Sequence, residues 1–115
     1  MNIVKFTSIS SSSAELENGY SIHSEHAQSC RESHYLDFRA ADGLFGFPID
    51  LDAEWFRRIP DYGIELIPAD NRHPVRVPGY GFNNGCYGTD IQLEVRLGGK
   101  LVASFDISEC QEIEG

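Results

Sequence analysis

Apolar and polar positions alternate most regularly over residues 91–107. Ile91, Leu93 and Val95 alternate with Gln92, Glu94 and Arg96, and Leu101, Ala103, Phe105 and Ile107 repeat the period after Gly98-Gly99. A period of two marks strands with one buried face, so this stretch predicts a hairpin. A two-residue Gly-Gly turn would pair Arg96 with Leu101 and Val95 with Val102, set Leu93 opposite Ser104 and leave Leu101 and Phe105 on the charged face. A three-residue loop, Leu97-Gly98-Gly99, instead pairs Val95 with Leu101, Leu93 with Ala103 and Ile91 with Phe105. It also puts Gly99 at a left-handed bulge position, where glycine meets no steric penalty. The three-residue loop is therefore expected.

Elsewhere the alternation comes in shorter runs. Residues 2–9 (NIVKFTSI) predict a strand, Ser10 to Ser13 a connection, and residues 14–17 are too short to assign. Asn18-Gly19 is a turn signal, with a second strand expected over 20–24. Residues 24–33 are polar and aperiodic, a loop or a single helical turn. Leu36, Phe38 and Ala40 then alternate with Tyr35, Asp37 and Arg39, which predicts a strand over 34–40. Residues 41–50 suggest an irregular apolar connection. Over 52–59 a short helix is expected: Asp50 or Asp52 can cap it, Glu54 suits its N-terminus, and Trp55, Phe56 and Ile59 give it an apolar side. Arg57 and Arg58 would occupy its last turn, and Pro60 would stop it. The Trp55–Phe56 pair fits a plug over a sheet better than a ligand site. Residues 63–68 predict a short strand and 70–73 a turn. Two prolines in 74–78 point to an edge or irregular segment. The acidic end, 109–115, is expected to fray. Together these elements predict one β-rich α+β domain over 1–115. Its sheet is mostly antiparallel (a rolled sheet, small barrel or compact sandwich), with one short helix near 52–59.

Composition narrows the function. The chain has 115 residues, 18 acidic and 9 basic, for a net charge of −9. Such a surface repels phosphates, which argues against nucleic acid as a partner. It suits a cytosolic protein whose partner is itself a protein, a basic one in the version the charge favours. MNIVKFTSISSSS has no apolar run long enough for a signal-peptide core, and no segment reaches the length of a membrane span. Three cysteines, an odd number, do not make a disulfide framework and are taken as thiols of a reducing compartment.

Two clusters carry candidate chemistry. In HSEHAQSCRESH, His23, His26, Cys30 and His34 lie within twelve residues, and imidazole and thiolate are both zinc ligands. On a helix His26, Cys30 and His34 would share a face. The segment has no apolar stripe to hold it helical, however, and lacks the CxxC spacing of zinc sites. Solvated histidines beside a structural cysteine are the alternative. A Cys-His nucleophile built on Cys30 or Cys86 would need an orienting third group, which the sequence does not provide. The second cluster is the loop GYGFNNGCYG over 79–88. Its Tyr80, Phe82, Asn83, Asn84 and Tyr87 offer stacking faces and amide groups for a small-molecule, sugar or peptide lip. Against this stands a structural loop whose glycines permit positive φ. Asp50, Asp52 and Glu54 alternate, but without the glycine and distal glutamate of a calcium loop.

SCRESHYLDF and GYGFNNGCYG resemble segments of small bacterial proteins of unknown function, in which a Cys-Glu pair precedes a Tyr-x-Asp strand. The resemblance covers about a third of the chain and implies no activity. The expectation is thus a small acidic cytosolic binding or regulatory module without catalysis, of the inhibitor or immunity type, and without a cofactor. The alternative is a zinc-binding domain using His23, His26, Cys30 and His34.

Overall fold

The computed structural model describes residues 1–25, 33–82 and 90–114. Among them the chain forms β1 (Ile3–Ile9), β2 (Ser13–Leu16), β3 (Tyr20–Glu25), β4 (Ser33–Leu36), β5 (Pro48–Asp50), β6 (Phe56–Ile59), β7 (Gly63–Leu66), β8 (Val75–Phe82), β9 (Gln92–Leu97), β10 (Lys100–Asp106) and β11 (Glu112–Glu114). Six of these make an antiparallel sheet in the order β10-β9-β3-β2-β1-β5, curled into a half-barrel. A second sheet runs β11-β8-β7-β6, with β4 also paired to β8. The fold is β-rich and mostly antiparallel, as the alternation predicts; β11 on β8 is a parallel pair.

The inward residues of both sheets share one core. Val4, Phe6, Ile22, Leu93 and Val95 of the half-barrel join Leu36, Ile64, Leu66 and Val77 of the second sheet, with Phe38 and Phe47 packed among them. Each large side chain taken fully out of water contributes roughly 1.5–3 kcal/mol, so this shared interior dominates the stability.

The helix expected over 52–59 does not form. Residues 50–53 are a turn and 56–59 are strand β6, hydrogen-bonded to β7. An eight-residue helix with three apolar side chains is marginal in water, whereas the apolar strand Gly63–Leu66 lies one tight turn away. Pro60 begins that turn, and Asp61 takes φ 63 in it; Tyr62 N donates to Ile59 O at 3.1 Å. Other local expectations also shift. The strand predicted over 34–40 ends at Leu36, where Asp37 caps a single 3₁₀ turn, Phe38–Ala40. The proline-flanked 74–78 segment enters β8 at Val75, and among the described residues Val75 to Pro78 pair on one side only, an edge as the prolines predict, although β8 lies inside the sheet order. It pairs with β7 over Val75 to Pro78 and with β4 and β11 beyond, so Pro78 sits where the strand changes neighbours. The acidic end is not frayed through 114: Cys110 and Gln111 are buried, and β11 follows.

The β9–β10 hairpin keeps Ala103 and Phe105 on the predicted core side by a different route, but Leu101, expected there opposite Val95, is exposed opposite Arg96. Gly98 and Gly99 both have positive φ, 60 and 84, and form a two-residue turn with Lys100 opposite Leu97 and Leu101 opposite Arg96. A bulge between Leu101 and Ala103 then resets the register. Ala103 falls opposite Val95 and Phe105 opposite Leu93.

Candidate functional site

A groove arises where edge strand β6 of the second sheet approaches edge strand β10 of the half-barrel. It begins at Asp50, whose carboxylate accepts from Asn2 N at 2.9 Å and Asp52 N at 3.0 Å. Those two backbone donors, Asn2 first, hold its pKa below the usual carboxylate range. Ala53 N donates to Asp50 O at 3.1 Å, which reverses the chain. Ile67 N then donates to Trp55 O at 2.9 Å and starts the β6–β7 ladder.

Pairing assigns the β6 side chains to their faces. Phe56 lies opposite buried Leu66 and Arg58 opposite buried Ile64, so both start on the core-facing side. Arg57 lies opposite Glu65 and faces out. Trp55 is buried, its ring 4.6 Å from that of Phe56 and 5.9 Å, edge-on, from Phe105 of β10. Phe56 and Phe105 are 5.1 Å apart, also edge-on. Such tilted aromatic contacts contribute about 0.5–1.5 kcal/mol beyond their area. Arg58 passes over Phe56, 5.5 Å from the ring centroid, and its Nε donates to Asp106 O at 2.9 Å. One arginine thus joins the two sheet edges.

The resulting groove encloses about 630 Å³ between Leu51, Glu54, Phe56, Arg57, Arg58 and Phe105. Half-buried Phe56 and Phe105 form its floor. On its rim Arg57 pairs with Glu54 at 3.0 Å and reaches Glu65 at 3.9 Å. These exposed pairs orient side chains and add about 0–1 kcal/mol each. Farther along, Asp61 N donates to Glu109 O at 2.8 Å and closes the seam at that end. Trp55 is the plug that the sequence suggests, but Phe56 is part of an open surface. Arg58 and Phe105 were not recognised as site residues. Read as a helix, 52–59 gives no sign that Arg58 shares a strand face with Phe56 and reaches Asp106.

The two clusters singled out in the sequence are only partly described. His23 sits on the outward face of β3, opposite Glu94, with its Nε2 3.0 Å from Ser21 Oγ. His34 is buried, its Nδ1 2.7 Å from Gln111 Oε1. Gln111 Nε2 donates to Ser108 O at 2.7 Å, which orients the amide so that Nδ1 of His34 is the donor. His23 and His34 therefore lie in different surroundings, while His26 and Cys30 fall outside the described residues. No group of three metal-ligating side chains occurs among the described residues. Cys86 also falls outside them. Cys110 is buried, and desolvation first, then Glu109, pushes its thiol pKa up, away from a reactive thiolate.

In the aromatic loop, Gly79 to Phe82 belong to β8. Tyr80 is half-exposed and packs against Tyr35 at 5.8 Å. The Phe82 side chain, Asn83, Asn84 and Tyr87 lie outside the described residues. Gly79 and Gly81 are not positive-φ positions; their need for glycine is spatial, since a Cβ on Gly79 would meet Cys110 O.

The outward face of the half-barrel is acidic. Cross-strand rungs set His23 beside Glu94, Ser21 between Glu15 and Arg96, and Gln92 between Glu25 and Asp106. Arg96 is drawn to Glu94 at 2.6 Å and Glu25 at 3.5 Å. No helix among the described residues is long and apolar enough to cross a membrane. No family model, curated protein or solved structure matches this chain.

Proposed function

We propose that this protein is a small acidic binding or regulatory module that acts by occupying a basic protein partner, as an inhibitor or immunity-type protein does. The supporting observation is its charge. The chain carries −9 overall, and the outward face of the half-barrel presents Glu15, Glu25, Glu94 and Asp106 against Lys5 and Arg96. A face with this acidic excess steers a basic partner into encounter and sets its orientation. Because the attraction is screened over about 8 Å at physiological salt, it weakens as salt rises.

Affinity purification from the native host at low ionic strength tests the proposal. A basic protein should be retained and then released by salt, and Glu15→Lys with Glu25→Lys should prevent its retention. Recovery of no partner, or of one indifferent to both substitutions, would count against it. The zinc alternative rests on the spacing of His23, His26, Cys30 and His34 in the sequence. Zinc well below one equivalent per chain, in protein purified without chelator, would end it.

A further inference from the structure

We infer that the open seam between β6 and β10 receives an extended segment of the partner protein, added as a strand on β10 with an apolar side chain seated on Phe56 and Phe105. This inference builds on the basic-partner reading and gives that partner a place to dock.

Hydrogen-bond alternation supplies the first support. Ile107 N donates to Ile91 O, which makes 107 and 91 a directly bonded antiparallel pair. In such a ladder alternate residues turn their backbone groups away from the neighbour. Phe105 and Ala103 therefore face β9 with theirs, while Ser104 and Asp106 present theirs at the outer edge. Likewise the Ile67-to-Trp55 bond leaves the backbone groups of Phe56 and Arg58 facing outward from β6. Among the described residues neither edge is paired with another strand.

The second support is the way the seam is capped. Natural sheets blunt exposed edges with bulges and inward-pointing charges. Here the bulge at Leu101 to Ala103 sits at one end of β10, and Arg58, exposed on the Phe56 side of β6, lays its charge across the edge with Nε on the Asp106 carbonyl. Between those two devices the Ser104 edge is left open above the aromatic floor. An arriving strand would take over the Asp106 carbonyl and swing Arg58 aside, which its exposed position allows.

The third support is charge. Asp52 and Glu54 at the mouth meet the N-terminal ammonium at 3.3 Å and Arg57 at 3.0 Å, and Asp106 at the β10 end adds a further exposed carboxylate. Arg57 is already matched by Glu54 and Glu65. A strand alternating basic and apolar residues would direct its apolar side chains to the floor and its basic ones to the outward acidic face.

The test is an NMR titration of the full ¹⁵N-labelled chain at low salt with the capped heptapeptide Lys-Val-Lys-Phe-Lys-Val-Lys. Saturable shifts are expected at Phe56, Arg58, Ser104 and Asp106. N-methylation at alternate peptide nitrogens should weaken binding at least tenfold in one phase and little in the other, as one-sided strand pairing requires. Ser104→Pro removes an N–H that the β9 ladder does not use, and should weaken binding by a similar factor in a protein whose spectrum stays folded. Shifts confined to Glu15, Glu25 and Glu94 would overturn the seam inference and leave the basic-partner reading standing. Equal shifts from N-acetyl-phenylalanine amide, or equal weakening from both methylation phases, would make the groove a small-molecule pocket and also overturn it. No binding anywhere would overturn the seam inference and weaken the basic-partner reading with it.

Discussion

Two glycine pairs, Gly98-Gly99 and Gly79/Gly81, require the same residue for unrelated reasons. At the β9–β10 turn both glycines have left-handed φ, and a Cβ built on either meets nothing within 4 Å. The requirement there is conformational. In β8 the backbone is ordinary strand, but a Cβ on Gly81 would run into Gln111 Oε1 and approach His34 Nδ1 at 2.7 Å. The requirement there is space. A turn glycine can be read from neighbours in sequence, whereas a crowding glycine depends on atoms about thirty and fifty residues away along the chain.

This contrast can be broken at its strongest point by Gly81→Ala. The added methyl must displace the buried His34–Gln111 pair, and overpacking with a disturbed buried hydrogen bond should cost about 2–4 kcal/mol. Urea denaturation would measure the loss; a change under about 1 kcal/mol would mean that the pair yields freely and that crowding is not the reason for glycine. Gly99→Ala should cost less, about 1–2 kcal/mol, because only the left-handed backbone resists it. Gly98→Asn should be nearly neutral, since asparagine tolerates that conformation. Were Gly99→Ala as damaging as Gly81→Ala, the division between conformation and space would fail.

A smaller effect is expected from deleting Val102. The bulge leaves this exposed residue over, with Leu101 opposite Arg96 and Ala103 opposite Val95. Its removal joins those two pairs into a regular ladder while Phe105 stays opposite Leu93. Stability should change by less than about 1 kcal/mol, with near-native backbone chemical shifts on β9. Global loss of structure would show that the bulge itself is required. The mildest effect is electrostatic. Asp106 accepts from Ser108 Oγ at 2.5 Å and Ser108 N at 2.9 Å, and these bonds, the hydroxyl first, lower its pKa. A lowered folded pKa contributes stability above the unfolded value of about 3.9, and that contribution is lost as pH falls through the folded value. The melting temperature should therefore fall below about pH 4, and less steeply in Asp106→Asn. Identical acid limbs for the two proteins would remove Asp106 from the account.

The hairpin and the 50–59 segment show how legibility varies. In the hairpin, alternation assigns Val95, Leu93, Ala103 and Phe105 to one face as the structure does, whereas the expected turn, the pairing register and the burial of Leu101 all differ. Turning Phe105 outward would forfeit roughly 1.5–3 kcal/mol of burial, whereas a bulge gives up about one ladder bond, near 1 kcal/mol. The chain therefore keeps the two-residue turn and places the bulge past it. In 50–59 the local signals (a capping aspartate, an early glutamate, late arginines, a stopping proline) agreed on a helix and were overruled by β7. With the helix assigned, Arg58 could only be a solvated last-turn cation, and its bridge from Phe56 to Asp106 was invisible. The candidate groove is illegible for the same reason: its wall is that segment, Leu51 to Arg58, completed by Phe105 about fifty residues away.

Periodicity in the sequence alone determined that this protein is β-rich and mostly antiparallel, because a strand's burial pattern is written into every second residue, and composition alone determined its net charge of −9. Tertiary structure decided which strands sit at the edges, where the bulge falls, why Gly79 and Gly81 are glycines and that an aromatic seam opens between β6 and β10. Those features depend on contacts between distant segments, whose energies exceed local propensities of a few tenths of a kcal/mol per residue.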